Sequence, residues 1–268
     1  MQAEPPLREL TFVVTRPSQQ SLRTAAALRE AGAEVIEFPV LAIESIEASL
    51  SSGELVGAAG IIFVSANAVA YGVPVLQRAG EIPATTQMFA IGRATAAALA
   101  EAGCKNVVSP QQSIDSEGLL ALTQLQHVEG QHIILVKGQS ELGGRALLEQ
   151  TLAARGARVM VLACYRRASL VPDSAAREAL RELIASRRTH GCFVLSVETL
   201  DSLINIFTGM KLLQQSEIVL LVPHARVAEA ARSRGFNKVL EVPLAESAMI
   251  AALAEMKPQL LTINPLIS

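Results

Sequence analysis

Five short segments of the 268-residue chain combine residue types suited to holding an anion on the main chain. They are Ser65-Ala66-Asn67, Gly92-Arg93-Ala94-Thr95, Gly138 with Gly143-Gly144, Ser196-Val197, and His224-Ala225-Arg226. Each follows an apolar, β-branched run, and each reads as the start of a helix. The first backbone N–H groups of a helix have no intrahelical partner, and the helix dipole places a partial positive charge beside them. Small residues there let a carboxylate or phosphate approach the amides closely. Arg16, Arg93, Lys137 and Arg226 flank these starts as side chains that would add a full charge. For Ser65 and Ser196 plain N-capping explains the same residues without a ligand, at ~1 kcal/mol each.

Other chemistries find no footing. Gly138-Gln-Ser-Glu-Leu-Gly143-Gly144-Arg145 nearly spells a phosphate-binding loop, but Gly144 and Arg145 stand where Lys and Ser/Thr are needed. No G-x-G-x-x-G follows an early strand. Cys104, Cys164 and Cys192 are odd in number and unclustered, which reads as small buried hydrophobes in a reducing compartment. His127, His132, His190 and His224 form neither HxxxH nor HExxH, so no metal site is expected. The pairs Arg166-Arg167 and Arg187-Arg188 are too short for a nucleic-acid stripe.

The elements that must position the five starts repeat along the chain. Strand-like Thr11–Val14 leads into a helix over 18–31, Gly32, and a strand over 34–38. Leu28-x3-Gly32-Ala-x-Val35 matches Leu152-x3-Gly156-Ala-x-Val159 position for position, 124 residues on. Both glycines stop a helix by taking left-handed backbone angles before a buried strand. A second phrase is also doubled. Ile61–Val64 then Ser65, and Met88–Ile91 then Gly92, a helix, Gly103 and a strand over 106–108, are echoed in the second half. The echo is Cys192–Leu195 then Ser196, and Ile218–Val222 then His224, a helix, Gly235 and a strand over 238–242. Gly103 and Gly235 lie 132 apart, so the order is A, B, A′, B′. This reads as an internal duplication giving two similar α/β lobes with mostly parallel sheets. Contiguous halves and exchanged halves, A with B′ and B with A′, fit the repeats equally.

Composition agrees with that fold class. Hydrophobic residues make up 50% and charged residues 18%, which is core-forming, while aromatics are only 3% with no Trp. A core built from Ala, Val, Leu and Ile favours helices packed on buried strands, and it offers no aromatic platform for stacking bases. The net charge of −2 implies neither a polyanion binder nor an acidic tail. Arginine supplies 18 of the 23 cations, a ratio that a GC-rich codon bias explains without a ligand. No apolar run reaches the ~18–20 residues of a membrane span, and Met1–Leu10 lacks the build of a signal peptide. A cytoplasmic, metal-free protein is expected. The segment from Lys257 to Ser268, with Pro258 and Pro265, reads as a loose end.

Several phrases together resemble the uroporphyrinogen-III synthase family. They are Thr15-Arg16-Pro17, Phe63–Val69, Ala90–Ala96, Ile114–Leu120, Val136-Lys137-Gly138 with Gly144-Arg145, and Arg155-Gly156 followed by Cys164-Tyr165-Arg166-Arg167. No single one is specific, but their order and spacing are, over about Leu10 to Leu253. The resemblance implies two flavodoxin-like or Rossmann-like lobes joined by a two-stranded connector, with exchanged halves. Lobe one would take residues 1–42 and 170–268, lobe two 43–169, and the connector strands would fall near 41–45 and 161–167. Two departures stand out. Leu195-Ser196-Val197-Glu198 and Ala225-Arg226-Val227-Ala228 carry fewer hydroxyls than the family often shows there, leaving His224 and Arg226 to replace them. Lys137 also stands where Arg is commoner.

The activity this implies is closure of the linear tetrapyrrole hydroxymethylbilane to uroporphyrinogen III, with loss of water and inversion of the last ring through a spiro intermediate. Such a task is mainly conformational and implies no metal, nucleophile or redox cofactor. The substrate's acetates and propionates would dock at the five helix starts, lining a cleft between lobes. Tyr165, which the resemblance places at the cleft wall, would donate a hydrogen bond to the departing hydroxyl as a weak general acid; packing of its ring on the connector is the alternative. A monomer is implied, with transient contact to the preceding enzyme, hydroxymethylbilane synthase, and no nucleic-acid or membrane partner. The rival reading is a non-catalytic two-lobed binder or sensor of an anionic small molecule.

Overall fold

Alternating apolar strands and Ala-rich helices run the length of the computed structural model, which describes residues 4–15, 18–111, 115–139, 146–212 and 218–263. The first part of the chain forms β1 (Thr11–Val14), α1 (Ser18–Glu30), β2 (Glu34–Glu37), β3 (Leu41–Ser45) and α2 (Ser52–Val56). Next come β4 (Gly60–Phe63), α3 (Ala66–Ala79), β5 (Gln87–Ala90), α4 (Arg93–Glu101) and β6 (Val107–Val108). The middle contains α5 (Ser116–Leu120), α6 (Thr123–Gln126), β7 (His132–Gln139), α7 (Ala146–Ala154), β8 (Arg158–Ser169) and α8 (Ser174–Ala185). The last stretch is β9 (Gly191–Phe193), α9 (Val197–Gly209), β10 (Val219–Val222), α10 (Ala225–Ser233), β11 (Lys238–Glu241) and α11 (Glu246–Ile263).

The chain divides into two compact units, one of residues 1–42 with 168–268 and the other of residues 43–167. In the first, the sheet order is β11-β10-β9-β1-β2, and every described pair is parallel. In the second, β8-β7-β4-β5-β6 pair in parallel, with β3 added beside β8. Ile46 N–H donates to the Cys164 carbonyl and Leu170 N–H to the Val40 carbonyl. One strand's numbers rise as the other's fall, so β3 and β8 run antiparallel. The boundaries at 42/43 and 167/168 fall inside these two strands.

Each sheet has the doubly wound 2-1-3-4-5 order if the second unit is counted from β7. The doubled phrases thus sit in matching places: β1-α1-β2 corresponds to β7-α7-β8, and β9-α9-β10-α10-β11 to β4-α3-β5-α4-β6. Gly32 at φ +93° and Gly156 at φ +82° end the matching helices in the left-handed region, as the sequence predicts.

Strand faces explain the apolar runs. On β1, Phe12 and Val14 pack with Leu28, Leu221 and Leu253, while Val13 packs with Leu180, Leu200 and Phe236. A parallel strand covered on both faces has no polar side to show. The second unit's core gathers Ile61, Ile62, Phe63, Phe89, Ile134 and Leu148. One expectation fails at the C-terminus, where α11 continues as helix to Ile263. Pro258 lies inside it, and Leu260 is fully buried among Leu253 and Met249. Burial of that apolar face outweighs the hydrogen bond the proline removes.

Candidate functional site: paired helix starts and a tyrosine–serine contact

Sheet register places the predicted starts in equivalent positions of the two units. Phe12 pairs with Gly191 as Ile133 pairs with Gly60, which sets Ser196 and Ser65 each five residues beyond an equivalent point. Likewise Cys192 pairs with Leu220 as Ile61 pairs with Met88, so His224 and Gly92 correspond. All four lie at the carboxyl ends of neighbouring parallel strands, Ser196 and Ser65 beside the point where strand order reverses and His224 and Gly92 one strand further out. That is where open α/β sheets hold ligands.

Within each unit one start is capped and the next is open. Ser65 Oγ accepts from Ala68 N–H at 3.0 Å, and Ser196 Oγ accepts from Thr199 N–H at 3.1 Å. Gly92 and His224, both with extended backbone, give their helices no side-chain cap. No cap side chain bonds the Arg93 and Ala94 amides of α4 or the Ala225 and Arg226 amides of α10, while Val227 N–H already donates to the His224 carbonyl at 3.1 Å. Arg93, Ala94, Ala225, Arg226 and His224 are not fully buried, while Gly92 and Thr95 are. Among the described residues neither Arg93 nor Arg226 pairs with a carboxylate. Ala66 is exposed, and Asn67, Ser196 and Val197 are half-buried.

Two expected contributors have other places. Lys137 Nζ lies 3.3 Å from Glu149 Oε2 on α7, an ion pair that engages one of the ammonium's three donors. Gly138 opens no helix; it lies within β7, opposite Tyr165, because the ladder continues past the apolar run to Gln139. Arg16, Gly143, Gly144 and Arg145 lie outside the described residues, as do Pro17 and Ile114 of the family-like phrases.

Tyr165 is 8% exposed, and its hydroxyl sits 3.0 Å from Ser65 Oγ. A contact between residues 100 positions apart thus brings the phenol to the start of α3. A serine hydroxyl has one proton and two acceptor positions. With Ala68 N–H filling one acceptor position, the Tyr165–Ser65 pair retains one O–H that can point outward. Tyr71, on α3, packs its ring 5.8 Å from that of Tyr165 and donates from its hydroxyl to the Ile43 carbonyl at 2.9 Å. The sequence reading missed this partner, although Tyr71 is the chain's only other tyrosine. Thr199 was missed as well; its Oγ1 lies 2.9 Å from Ser196 Oγ.

Buried titratable groups behave as packing residues. Burial pushes the Cys164 thiol up to about 11 and that of Cys192 up to about 12, so neither is a ready nucleophile. His190 is fully buried, accepts from Thr11 N–H at 3.0 Å, and is held below the usual histidine range by desolvation. Among the described residues no group of three or more His, Cys, Asp or Glu gathers as metal ligands would, and no helix is long and apolar enough to cross a membrane. A cavity of about 290 Å³ opens at the opposite ends of β4, β5 and β7, lined by Gln87, Gln124, His127, Gln131 and apolar neighbours. It has no Lys or Arg in its lining, so it does not match an acid-rich ligand.

A family model described as "Uroporphyrinogen-III synthase HemD" matches residues 23–252. The chain belongs to the uroporphyrinogen-III synthase family. Its similarity to the uroporphyrinogen-III synthase of Escherichia coli (strain K12) is 30% identity over 238 residues, covering 86% of this chain and 94% of that one. Among solved structures, uroporphyrinogen-III synthetase from Helicobacter pylori superposes with a TM-score of 0.62 at 13% identity, covering 92% of this chain and 99% of that one. A mutant uroporphyrinogen III synthase from the extremely thermophilic bacterium Thermus thermophilus gives a TM-score of 0.55 at 20% identity, covering 94% and 99%. At such identities these two likenesses speak for the fold. The two-sheet α/β architecture is therefore that of the uroporphyrinogen-III synthase family.

Proposed function

We propose that the chain performs its family's reaction, closing hydroxymethylbilane to uroporphyrinogen III with loss of water and inversion of the last ring; as an enzyme it is a lyase of porphyrin biosynthesis. The observation that carries the reading at the level of residues is the pairing of one capped and one open helix start, in the same register, in both units. Open starts at Gly92 and His224 suit the acetates and propionates of a linear tetrapyrrole, with Arg93 and Arg226 adding charge. Held in this way, the chain ends meet in the geometry of the spiro route instead of the direct one. Well-oriented partners of that kind gain ~7–11 kcal/mol over free encounter.

In this reading Tyr165 and Ser65 deliver one hydroxyl proton toward the departing hydroxyl, as a weak general acid and its support. Ser196 keeps to capping α9 and lends its start to a carboxylate. The protein works as a cytoplasmic monomer, which its three free cysteines suit, and takes substrate from hydroxymethylbilane synthase by transient contact. No observation favours a non-catalytic binder. Incubation with enzymatically generated hydroxymethylbilane, then oxidation and isomer separation, tests the reading. Type III porphyrin is expected; type I alone at high protein concentration overturns it.

A further inference from the structure

Gly138 leaves beside β7 the space that one edge of the Tyr165 ring fills. A Cβ added there would stand 2.5 Å from Tyr165 Cε2 and 2.7 Å from Cζ. The backbone of Gly138 lies outside the left-handed region, so what glycine supplies here is space. Register explains how the ring arrives. Lys137 pairs with Ala163, but Gly138 pairs with Tyr165, so Cys164 is an extra residue on β8. In a regular ladder Cys164 would face Gly138 and the tyrosine would face Gln139. The bulge turns Cys164 inward, where it is 1% exposed, and brings the phenol across Gly138 to Ser65. Tyr71 packs its ring 5.8 Å from that of Tyr165, tilted by 31°. Tyr165 is 8% exposed, so a ring pushed away from position 138 has little free space to enter without shifting its hydroxyl.

We propose that Gly138 is a positioning residue for the family reaction: with the bulge at Cys164, it leaves the slot that holds the Tyr165 hydroxyl on Ser65 at the start of α3. The inference rests on the function proposed above. Ordinary carbon–carbon contact is ~3.5–4.0 Å, so Gly138→Ala displaces the ring by roughly 1 Å. That takes the 3.0 Å contact to Ser65 out of hydrogen-bond range. A misplacement of that size costs up to about a hundredfold in rate.

The test is a double-mutant cycle of Gly138→Ala and Tyr165→Phe, followed by kcat, KM and isomer ratio on hydroxymethylbilane, with thermal melts on all four proteins. Gly138→Ala is expected to lower kcat at least tenfold in the parent chain and less than twofold beside Tyr165→Phe, with KM little changed. Equal losses in both backgrounds, or no loss in the parent, overturn the proposal. A parent chain making only type I porphyrin refutes the functional reading instead, so the two failures are distinct. The contact itself is tested by nuclear Overhauser effects in the parent protein, with Tyr71→Phe used only to assign the two tyrosine rings. Gly138 Hα should contact one edge of the Tyr165 ring, distinguished from Tyr71 with Tyr71→Phe; absence of that signal overturns the proposal.

Discussion

His224→Asp separates helix capping from substrate binding, because it moves the two in opposite directions. His224 has φ −168° and gives α10 no side-chain hydrogen bond. Aspartate in the same extended backbone accepts from the first-turn amides, a gain of ~1 kcal/mol over a residue that does not cap. Its charge beside the positive end of the dipole adds ~0.3–1 kcal/mol. The first unit should then melt roughly 2–8 °C higher, taking ~2–4 °C per kcal/mol for a chain of this size.

The same carboxylate occupies the amides that the proposal reserves for the substrate. A charge-assisted hydrogen bond contributes ~1.5–3 kcal/mol, and each 1.4 kcal/mol is about tenfold in affinity. KM for hydroxymethylbilane is therefore expected to rise roughly tenfold to a hundredfold while the melting temperature rises. His224→Asn should show the same pattern more weakly, since it caps without charge. The assay is a coupled one, with hydroxymethylbilane formed in place and type III product quantified, alongside a thermal melt. A higher melting temperature with KM unchanged within twofold would refute the reasoning, reducing the α10 start to an ordinary helix end.

Tyr165→Phe is expected to slow turnover tenfold or more while costing ~1 kcal/mol of stability for the lost contact to Ser65; unchanged kinetics remove Tyr165 from the mechanism. Ser65→Ala and Ser196→Ala should each cost ~1 kcal/mol as lost caps, but only Ser65→Ala should also lower kcat as Tyr165→Phe does. Equal kcat values for the two serine variants would show that the tyrosine contact has no catalytic consequence. Stability should also fall in mild acid. Burial lowers the folded-state pKa of His190 and His132 below the unfolded value of about 6.5, so below that pH the unfolded chain binds protons the native one refuses. Urea midpoints at pH 7.5 and 5 should therefore differ, by up to about 1.4 kcal/mol per pH unit from His190, and His190→Gln should flatten the slope. Identical midpoints at both pH values would contradict this.

The helix starts were legible because local signals make them. A β-branched run, then Ser or Gly, then an Ala-rich stretch, carries its own strand, cap and helix, and the doubling of these phrases announced two parallel sheets. Strand ends differ from the reading by one or two residues. Val64 and Ile91 leave the formal strands, yet their N–H groups still bond Val136 and Phe63 carbonyls as the chain turns toward a cap. What was not legible depends on distant partners. The Glu149 carboxylate beside Lys137 comes from α7, which no local signal around Lys137 announces. Gly138 looked like a glycine admitting a carboxylate, when it admits an aromatic ring from the next strand. Pro258 suggested a loose end, but a proline's local cost says nothing about Leu260 finding a core.

Equivalent strand-to-helix starts recur in the two units, whereas the Tyr165–Ser65 contact belongs to the second. A helix start after a parallel strand is a property of the backbone, so a repeated fold repeats its helix starts. Side chains from the neighbouring strand are free to diverge. Ser196 finds its hydroxyl partner three residues along its own helix, in Thr199, whereas Ser65 finds Tyr165 on β8 through a bulge. The second unit therefore differs from the first in having a phenol at the serine that caps its helix start.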